Sequence, residues 1–377
     1  MNLYFSISVV FCCLVLSILL FSSPLFKFLD LDISEKRNNN IDGVRYYLAA
    51  LVIFHHLNCS YNYITTGKWW PTSDLMLYFG KYGVAVFFMI TAYLFWGMVR
   101  DKKEVDWVEL YSKRAFRIMP LAFFCSFVGV FLLLTFTEHN IDMLHNIRNI
   151  LPWFDGGLWD SKPQITSFQK PWIVMAGVTW TLKWEWIFYF SLPLFFLINK
   201  KPLELVILLF AFSLYFLPGI TRDATMWAYF FTGMLCRELA EKVRFSKSGA
   251  NTILVLSVCT IVMVKPALYM PPEKFLLLAA FFGIVSGADL FGLLTLNAVK
   301  RLGAISYSLY LTQGLIMFPA FYFIKKHGVI DNSLPLLAFL IAIFLSICII
   351  SSLTFHCIES PFINRRRVML SKVRSVF

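Results

Sequence analysis

Long apolar segments recur along the whole chain, and they restrict the possible folds more than any other feature. A helix of about 20 apolar residues spans a bilayer, and only helices and closed barrels satisfy their backbone groups there. The 377 residues are 59% hydrophobic and 15% charged, with a mean hydropathy of +0.69. The composition excludes an ordinary soluble domain and predicts an all-α, polytopic transmembrane helical bundle.

The first apolar run, residues 3–29, has no Lys or Arg before it and no small-residue cleavage site after it. It is expected to be a spanning helix and not a secretory signal. A polar linker with Lys36 and Arg37 follows, and the next apolar stretch begins at Ile41. Further spans are expected near residues 84–99, 118–137, 178–198, 203–218, 224–238, 250–264, 275–296, 306–324 and 334–354.

Basic residues are concentrated in alternate connections between these spans. Segment 100–117 is the densest basic stretch, and alternation puts the basic residues at 36–37, 200–201, 237–247, 300–301 and 365–374 on its side. The long connection 138–172 falls on the opposite, less basic side. The positive-inside rule then predicts a cytoplasmic C-terminus and an external, periplasmic N-terminus. The net charge of +12 therefore belongs to the cytoplasmic face, and no nucleic-acid partner is expected.

The eight cysteines have no metal-ligand spacing. There is no CxxC motif, and residues such as Cys125, Cys259 and Cys348 lie within apolar runs. We therefore expect neither a disulfide framework nor a metal site.

The stretch 41–58, IDGVRYYLAALVIFHHLN, carries polar groups inside an apolar helix. Arg45 and His56 are eleven residues apart, so both side chains project from one helix face, about 16 Å apart along the axis. His55 is rotated by about 100° and is expected to point elsewhere. Charged residues in spans usually face a bundle interior or a cavity. The alternatives are an Arg45 side chain that snorkels to the interface and a neutral His56 satisfied by a neighbouring helix.

Two further polar groups lie near the ends of predicted spans. The segment KRAFRIMP supplies Lys113, Arg114 and Arg117, which suit the oxygens of a polyphosphate; a purely topological role is the alternative. In WTLKWEWIFYF, Thr181 and Glu185 lie on one helix face at i and i+4. A carboxylate there must find a partner or take up a proton, and an ion pair with Arg45 is the structural alternative to a functional role.

Six segments resemble, in order and in hydropathy context, the acyltransferase-3 family of membrane acyltransferases, which O-acylate bacterial surface polysaccharides. IDGVRYYLAALVIFHH resembles the family's Arg-to-His signature, and KRAFRIMP resembles its Arg-rich motif that ends in proline. The other segments are GVAVFFMITAYLF, WTLKWEWIFYFSLPL, ISYSLYLTQ and IESPFI. The resemblance spans about residues 41–363.

The chain also departs from the family pattern. Thr91 and Ala92 replace the usual Ser-Gly, Tyr46 and Tyr47 are bulky where small residues are common, and Gln313 stands where many members have histidine. These differences bear on the acceptor and leave the reaction class intact.

The resemblance implies a ten-helix acyltransferase core, residues 41–363, in the bacterial inner membrane. Residues 1–40 would add an extra N-terminal transmembrane helix and a polar linker, and residues 364–377 a basic cytoplasmic tail. No permanently bound cofactor is implied. The donor would be a cytoplasmic acyl-CoA, above all acetyl-CoA. The acceptor would be a hydroxyl of a cell-surface glycan such as O-antigen, capsule or exopolysaccharide, free or lipid-linked.

The resemblance also implies roles for individual residues. His56 would act as general base, Arg45 would hold a phosphate or the thioester-side charge, and Glu185 would orient His56 or the acceptor. Direct attack and a covalent relay both remain open. Lys113, Arg114 and Arg117 would bind the phosphates of CoA. The remaining candidate substrate-binding residues are Thr91, Tyr93, Trp180, Thr181, Tyr307, Tyr310 and Gln313.

Two other classes of function stay open at this point. A proton-coupled transporter or flippase for a glycan or small anion also uses buried Arg, His and Glu, but it predicts pseudo-symmetric halves, and the sequence has no such repeat. A non-catalytic partner in a polysaccharide export assembly would not need Arg45 and His56 in register.

Overall fold

The computed structural model of the protein describes residues 3–32, 39–137, 143–217, 221, 223–328 and 334–365. These residues are 82% helical and contain no strand, so the predicted all-α polytopic bundle is confirmed. Lys36, Arg37 and the basic tail from residue 366 onwards lie outside the described residues.

The bundle is built from long helices with two short ones between them. In chain order the helices are α1 (Leu3–Ser22), α2 (Asn39–Thr66), α3 (Asp74–Arg100), α4 (Trp107–Phe136), α5 (Met143–Ile150), α6 (Trp180–Ile198), α7 (Pro202–Tyr215), α8 (Met226–Lys242), α9 (Lys247–Val264), α10 (Pro271–Val285), α11 (Asn297–Ala304), α12 (Ser306–His327) and α13 (Leu334–Thr354).

Seven of the described helices are long and apolar enough to cross a membrane, namely α1, α3, α4, α6, α9, α12 and α13. Helices α7, α8 and α10 have 14, 17 and 15 residues, shorter than the roughly 20 residues that a full span needs. Helix α2 has 28 residues but is more polar. The number of spans in the core therefore stays a prediction.

Several boundaries differ from those expected from hydropathy, and α3, for example, begins at Asp74 and not near residue 84. The first helix ends at Ser22, and a 3-10 helix, Pro24–Asp32, follows it, because Pro24 lacks an N–H and disfavours helical geometry before it. Helix α10 ends at Val285, ahead of the expected 296. There the backbone N–H groups of Asp289 and Leu290 donate to Asn251 Oδ1 at 3.1 and 2.9 Å, which holds a turn in place of further helix.

Helix α4 begins at Trp107, well before the expected 118. The Asp106 carboxylate caps it by accepting a hydrogen bond from the Glu109 N–H at 2.8 Å. The basic segment expected to be a loop is thus largely the first turns of a helix, and Lys113, Arg114 and Arg117 project from a rigid element.

The N-terminal helix α1 packs on α11 and α13. The buried hydroxyls of Ser17 and Tyr46 lie 2.5 Å apart, and Arg301 binds both carboxylate oxygens of Asp30 at 2.7 Å. That guanidinium holds the pKa of Asp30 below its usual value. The bulky Tyr46, which is unusual for the resembled family, therefore contacts the extra N-terminal helix α1.

The bundle has two chemically different ends. At the basic end, which carries Arg100, Lys113, Arg237 and Lys247, Arg100 bridges α3 and α8 by ion pairs to Glu238 and Glu241 at 2.9 and 2.6 Å. The opposite loop end carries segment 151–179, which contains the 3-10 helices Leu151–Phe154 and Pro171–Met175. Helix α2 runs from the basic end to the loop end.

Candidate active site

Three cavities lie in a row between α2, α3, α6, α8 and α12. The inner cavity, about 60 Å³, contains Arg45, Thr181, Glu185, Tyr307 and Tyr310 in its lining. The middle cavity, about 80 Å³, is lined by His55, His56, Lys81, Trp180, Tyr229, Tyr269 and Tyr310, among others. The outer cavity, about 380 Å³, is lined by His55, His56, Trp69, Asp160, Lys162, Trp172, Ala176, Gly177, Thr179 and Trp180.

Neighbouring cavities share side chains. Tyr310 and Val84 line both the inner and the middle cavity. His56 and Trp180 line both the middle and the outer cavity. A polar row therefore runs from Arg45 near the basic end, past His56, to the loop end. Arg45 and His56 face the same row, as the helix register predicts, but they line different cavities.

His56 is buried and held in one orientation by α12. Its Nδ1 lies 3.0 Å from Gln313 Oε1, and Gln313 Nε2 donates to the Tyr310 carbonyl oxygen at 2.7 Å. Because the amide uses its donor on Tyr310, its oxygen accepts from Nδ1–H of the imidazole. Nε2 of His56 is then the unprotonated nitrogen that a general base requires.

The prediction that His55 points away from this site is wrong, because His55 lines the middle and outer cavities with His56. The two rings meet edge to face with centroids 5.0 Å apart. Gly80 of α3 makes the room, since a Cβ there would lie 2.6 Å from the His55 ring. His55 Nδ1 donates to the Met76 carbonyl oxygen at 2.8 Å.

Glu185 lies in the inner cavity with Arg45. Its carboxylate accepts a hydrogen bond from the Tyr189 hydroxyl at 3.1 Å, and Arg45, Arg114 and Arg117 all act on it electrostatically. Arg45 also lies 3.7 Å from Asp42. The residue hydrogen-bonded to His56 is Gln313. The expected role of Glu185 in orienting His56 is therefore not supported by a direct contact between the two.

Two of the three basic residues of α4 join an inner cluster around Glu185, on which Arg45, Arg114 and Arg117 all act electrostatically. The Arg114 guanidinium lies over the Phe95 ring at 4.7 Å. Arg117 lies 3.4 Å from Glu359 of the π-helix Phe355–Glu359. Lys113 instead pairs with Glu109 at 2.5 Å, and its side chain is 34% exposed. Neither arginine lines one of the three cavities, but both act on Glu185 of the inner cavity, whereas Lys113 lies at the part-exposed edge of α4.

Most of the expected substrate-binding residues line the cavities. Thr181 donates to Tyr310 Oη at 3.0 Å, and Tyr307 donates to the Ile118 carbonyl oxygen at 2.8 Å. Tyr93 instead packs under Arg237, 5.4 Å from its guanidinium, and neither Tyr93 nor Thr91 is among the residues that line the three cavities.

The structure adds residues that sequence reasoning missed. Lys81 lines the middle cavity, as does Tyr229, whose hydroxyl donates to the fully buried Glu273 at 2.7 Å. Asp160 and Lys162 of the loop end face the outer cavity. A local signal for Lys81 is that it is the one lysine of the apolar helix α3; the others are brought in from distant parts of the chain.

The fold is an all-helical membrane bundle, and the buried arginine, histidine and tyrosine side chains form a polar site inside it. Residues 38–355 match the family model Acyl_transf_3, described as an acyltransferase domain. The chain therefore belongs to the acyltransferase-3 family and is a membrane acyltransferase. No curated protein and no solved structure matches the chain.

Proposed function

We propose that the protein transfers an acetyl group from cytoplasmic acetyl-CoA to a hydroxyl of a cell-surface glycan, free or lipid-linked, at the bacterial inner membrane. The observation that carries the proposal is the location of His56 between two chemically different cavities. The inner cavity, on one side of His56, contains Arg45 and Glu185, and Arg114 and Arg117 act on Glu185 from α4. The wide outer cavity lies on the other side. Two substrates that arrive from opposite faces of a membrane meet at such a residue.

The donor enters from the basic end. Arg114 and Arg117 bind the phosphates of CoA, because guanidinium groups form charge-assisted hydrogen bonds with phosphate oxygens, and Lys113 assists at the rim. Arg45 holds the inner part of the donor, and Glu185 keeps the arginines in place before the donor binds. The inner and middle cavities are about 60 and 80 Å³, which favours a short acyl group such as acetyl.

The transfer proceeds by general-base catalysis. Nε2 of His56 takes the proton of the acceptor hydroxyl, and the hydroxyl oxygen attacks the thioester carbonyl carbon. The new C–O bond forms, the C–S bond breaks, and the imidazolium returns the proton to the leaving thiolate. The products are the acetylated glycan and CoA thiol. Lys81 in the middle cavity offsets the negative charge that develops on the carbonyl oxygen.

The family match supports this reading over the transporter or flippase that the buried charges alone left open. The experiment uses membrane vesicles with acetyl-CoA supplied to the cytoplasmic face, labelled in the acetyl group. Labelled polysaccharide is expected with the wild type and not with vesicles that lack the protein. Butyryl-CoA and palmitoyl-CoA should be progressively poorer donors. Absence of label from polysaccharide, with the protein inserted and abundant, would reject the proposal.

A further inference from the structure

Of the three cavities, the outer one has no assigned role in binding the donor. Its volume of about 380 Å³ falls within the range of ligand-binding pockets, about 300–1,000 Å³, whereas the inner and middle cavities are far smaller. It adjoins His56, and neither Arg114 nor Arg117 lines it. We infer that it is the acceptor subsite, in which Trp69 and Trp172 stack on a sugar ring while Asp160 binds its hydroxyls. The inference rests on the proposed function.

Two indole rings form a corner in this cavity. The Trp69 and Trp172 centroids are 5.7 Å apart and their planes meet at 88°. The Trp69 centroid also lies 6.3 Å from that of the His56 ring, with the two planes at 29°. Both tryptophans are half-buried, so part of each ring faces the cavity. Rigid indole faces bind the apolar C–H face of a sugar with little loss of side-chain entropy. A sugar stacked there has its hydroxyls next to His56.

Asp160 supplies the polar contact. Its carboxylate accepts a hydrogen bond from the Thr179 hydroxyl, and burial raises its pKa. A carboxylate accepts through two oxygens, so capacity remains for sugar hydroxyls.

The loop that carries Asp160 is firmly held, as a binding site requires. Asp155 accepts hydrogen bonds from the N–H groups of Gly157, Trp159 and Asp160 at 2.9, 3.0 and 2.8 Å. The side chain of Lys162 is 4% exposed and pairs with Asp155 at 3.2 Å. These contacts fix the carboxylate before the acceptor arrives, so little ordering cost is left for binding.

The backbone around the cavity is also unusual. Asp160 and Ala176, which both line it, have φ angles of 55° and 53°. Left-handed geometry is costly for a residue with a Cβ and persists where the surroundings impose it. At Ala176 the surroundings include α12, whose Gly314 has no room for a Cβ, since that atom would lie 2.4 Å from the Ala176 nitrogen.

The test separates acceptor binding from donor binding. Membranes with the intact protein receive labelled acetyl-CoA and short saccharide fragments of the host's surface polysaccharide, and each substrate is varied in turn. Trp172→Leu and Asp160→Asn should raise the KM for the saccharide at least about tenfold and leave the KM for acetyl-CoA within about twofold. Trp159→Leu and Trp70→Leu are matched controls, because these side chains are 72% and 60% exposed and do not line the cavity.

Each outcome decides between the possibilities. Unchanged saccharide dependence in Trp172→Leu and Asp160→Asn overturns the inference while the proposed function stands. A raised KM for acetyl-CoA alone means that the donor occupies the outer cavity, which also overturns it. No transfer by the wild type removes the proposed function and the inference together. Normal binding of acetyl-CoA by the purified variants shows that they are folded, so a loss confined to the saccharide supports the subsite.

Discussion

Gln313 Oε1 lies 3.0 Å from Nδ1 of His56, across the contact between α12 and α2. Residues that are 257 positions apart in the chain thus define which nitrogen of the imidazole carries the proton. Many members of the family have histidine at the position of Gln313. The contact therefore gives this departure from the family pattern a role, which is to orient the proposed base.

Replacing Gln313 with leucine removes this acceptor and lets the imidazole adopt the wrong tautomer or orientation. We expect Gln313→Leu to lower kcat about 10- to 100-fold with little change in either KM, because the loss falls on the chemical step. Gln313→His should recover part of the activity, since a histidine nitrogen also accepts a hydrogen bond. Equal losses in both variants would indicate a packing role. Steady-state kinetics of acetyl transfer is the measurement.

The arginines of α4 and their lysine neighbour should differ in effect. Arg114→Ala and Arg117→Ala remove groups that lie at the inner cluster, so each should raise the KM for acetyl-CoA with a smaller change in kcat. Lys113→Ala should have a clearly smaller effect, because Lys113 is part-exposed and pairs with Glu109. If the KM for acetyl-CoA were similar in all three variants and the wild type, Lys113, Arg114 and Arg117 would have a topological role only.

The orientation of the chain can be tested by cysteine labelling. We expect cysteines at Lys103 and Lys247 to react only with a permeant reagent, and one at the loop end to react from outside. The side chain of Lys162 is only 4% exposed, so the exposed Ser161 next to it is the external probe. Cys259 and Cys357, which are exposed, are first changed to serine. Labelling of positions 103 and 161 from the same side would reject the orientation.

The sequence predicts those features of the fold that depend on local chemistry. Apolar length predicts the spanning helices, and the spacing of Arg45 and His56 predicts that both face one polar row. Helix boundaries were missed where a single local contact decides them, as with the Asp106 cap that starts α4 early and the Asn251 contacts that hold the turn after α10. Propensity alone does not reveal contacts of that kind.

The composition of the candidate site was harder to predict, because distant segments complete it. His55 enters the cavities because Gly80 of another helix leaves space for its ring, which the helical register of α2 cannot indicate. Asp160 and Trp172 reach the outer cavity from the long connection between α4 and α6. No periodicity in that connection predicts where its side chains lie.

The central claim is that Nε2 of His56 is the general base, and acetyl transfer by His56→Ala and His55→Ala membranes tests it most directly. His56→Ala should lower the rate of transfer about 10²- to 10⁴-fold with the protein inserted at its normal level. His55→Ala should keep a rate within about tenfold of the wild type, because both ring nitrogens of His55 are engaged, Nδ1 with the Met76 carbonyl oxygen and Nε2 with Cys59 Sγ at 3.7 Å. Near-normal transfer by His56→Ala, together with loss of transfer in His55→Ala, would contradict the account.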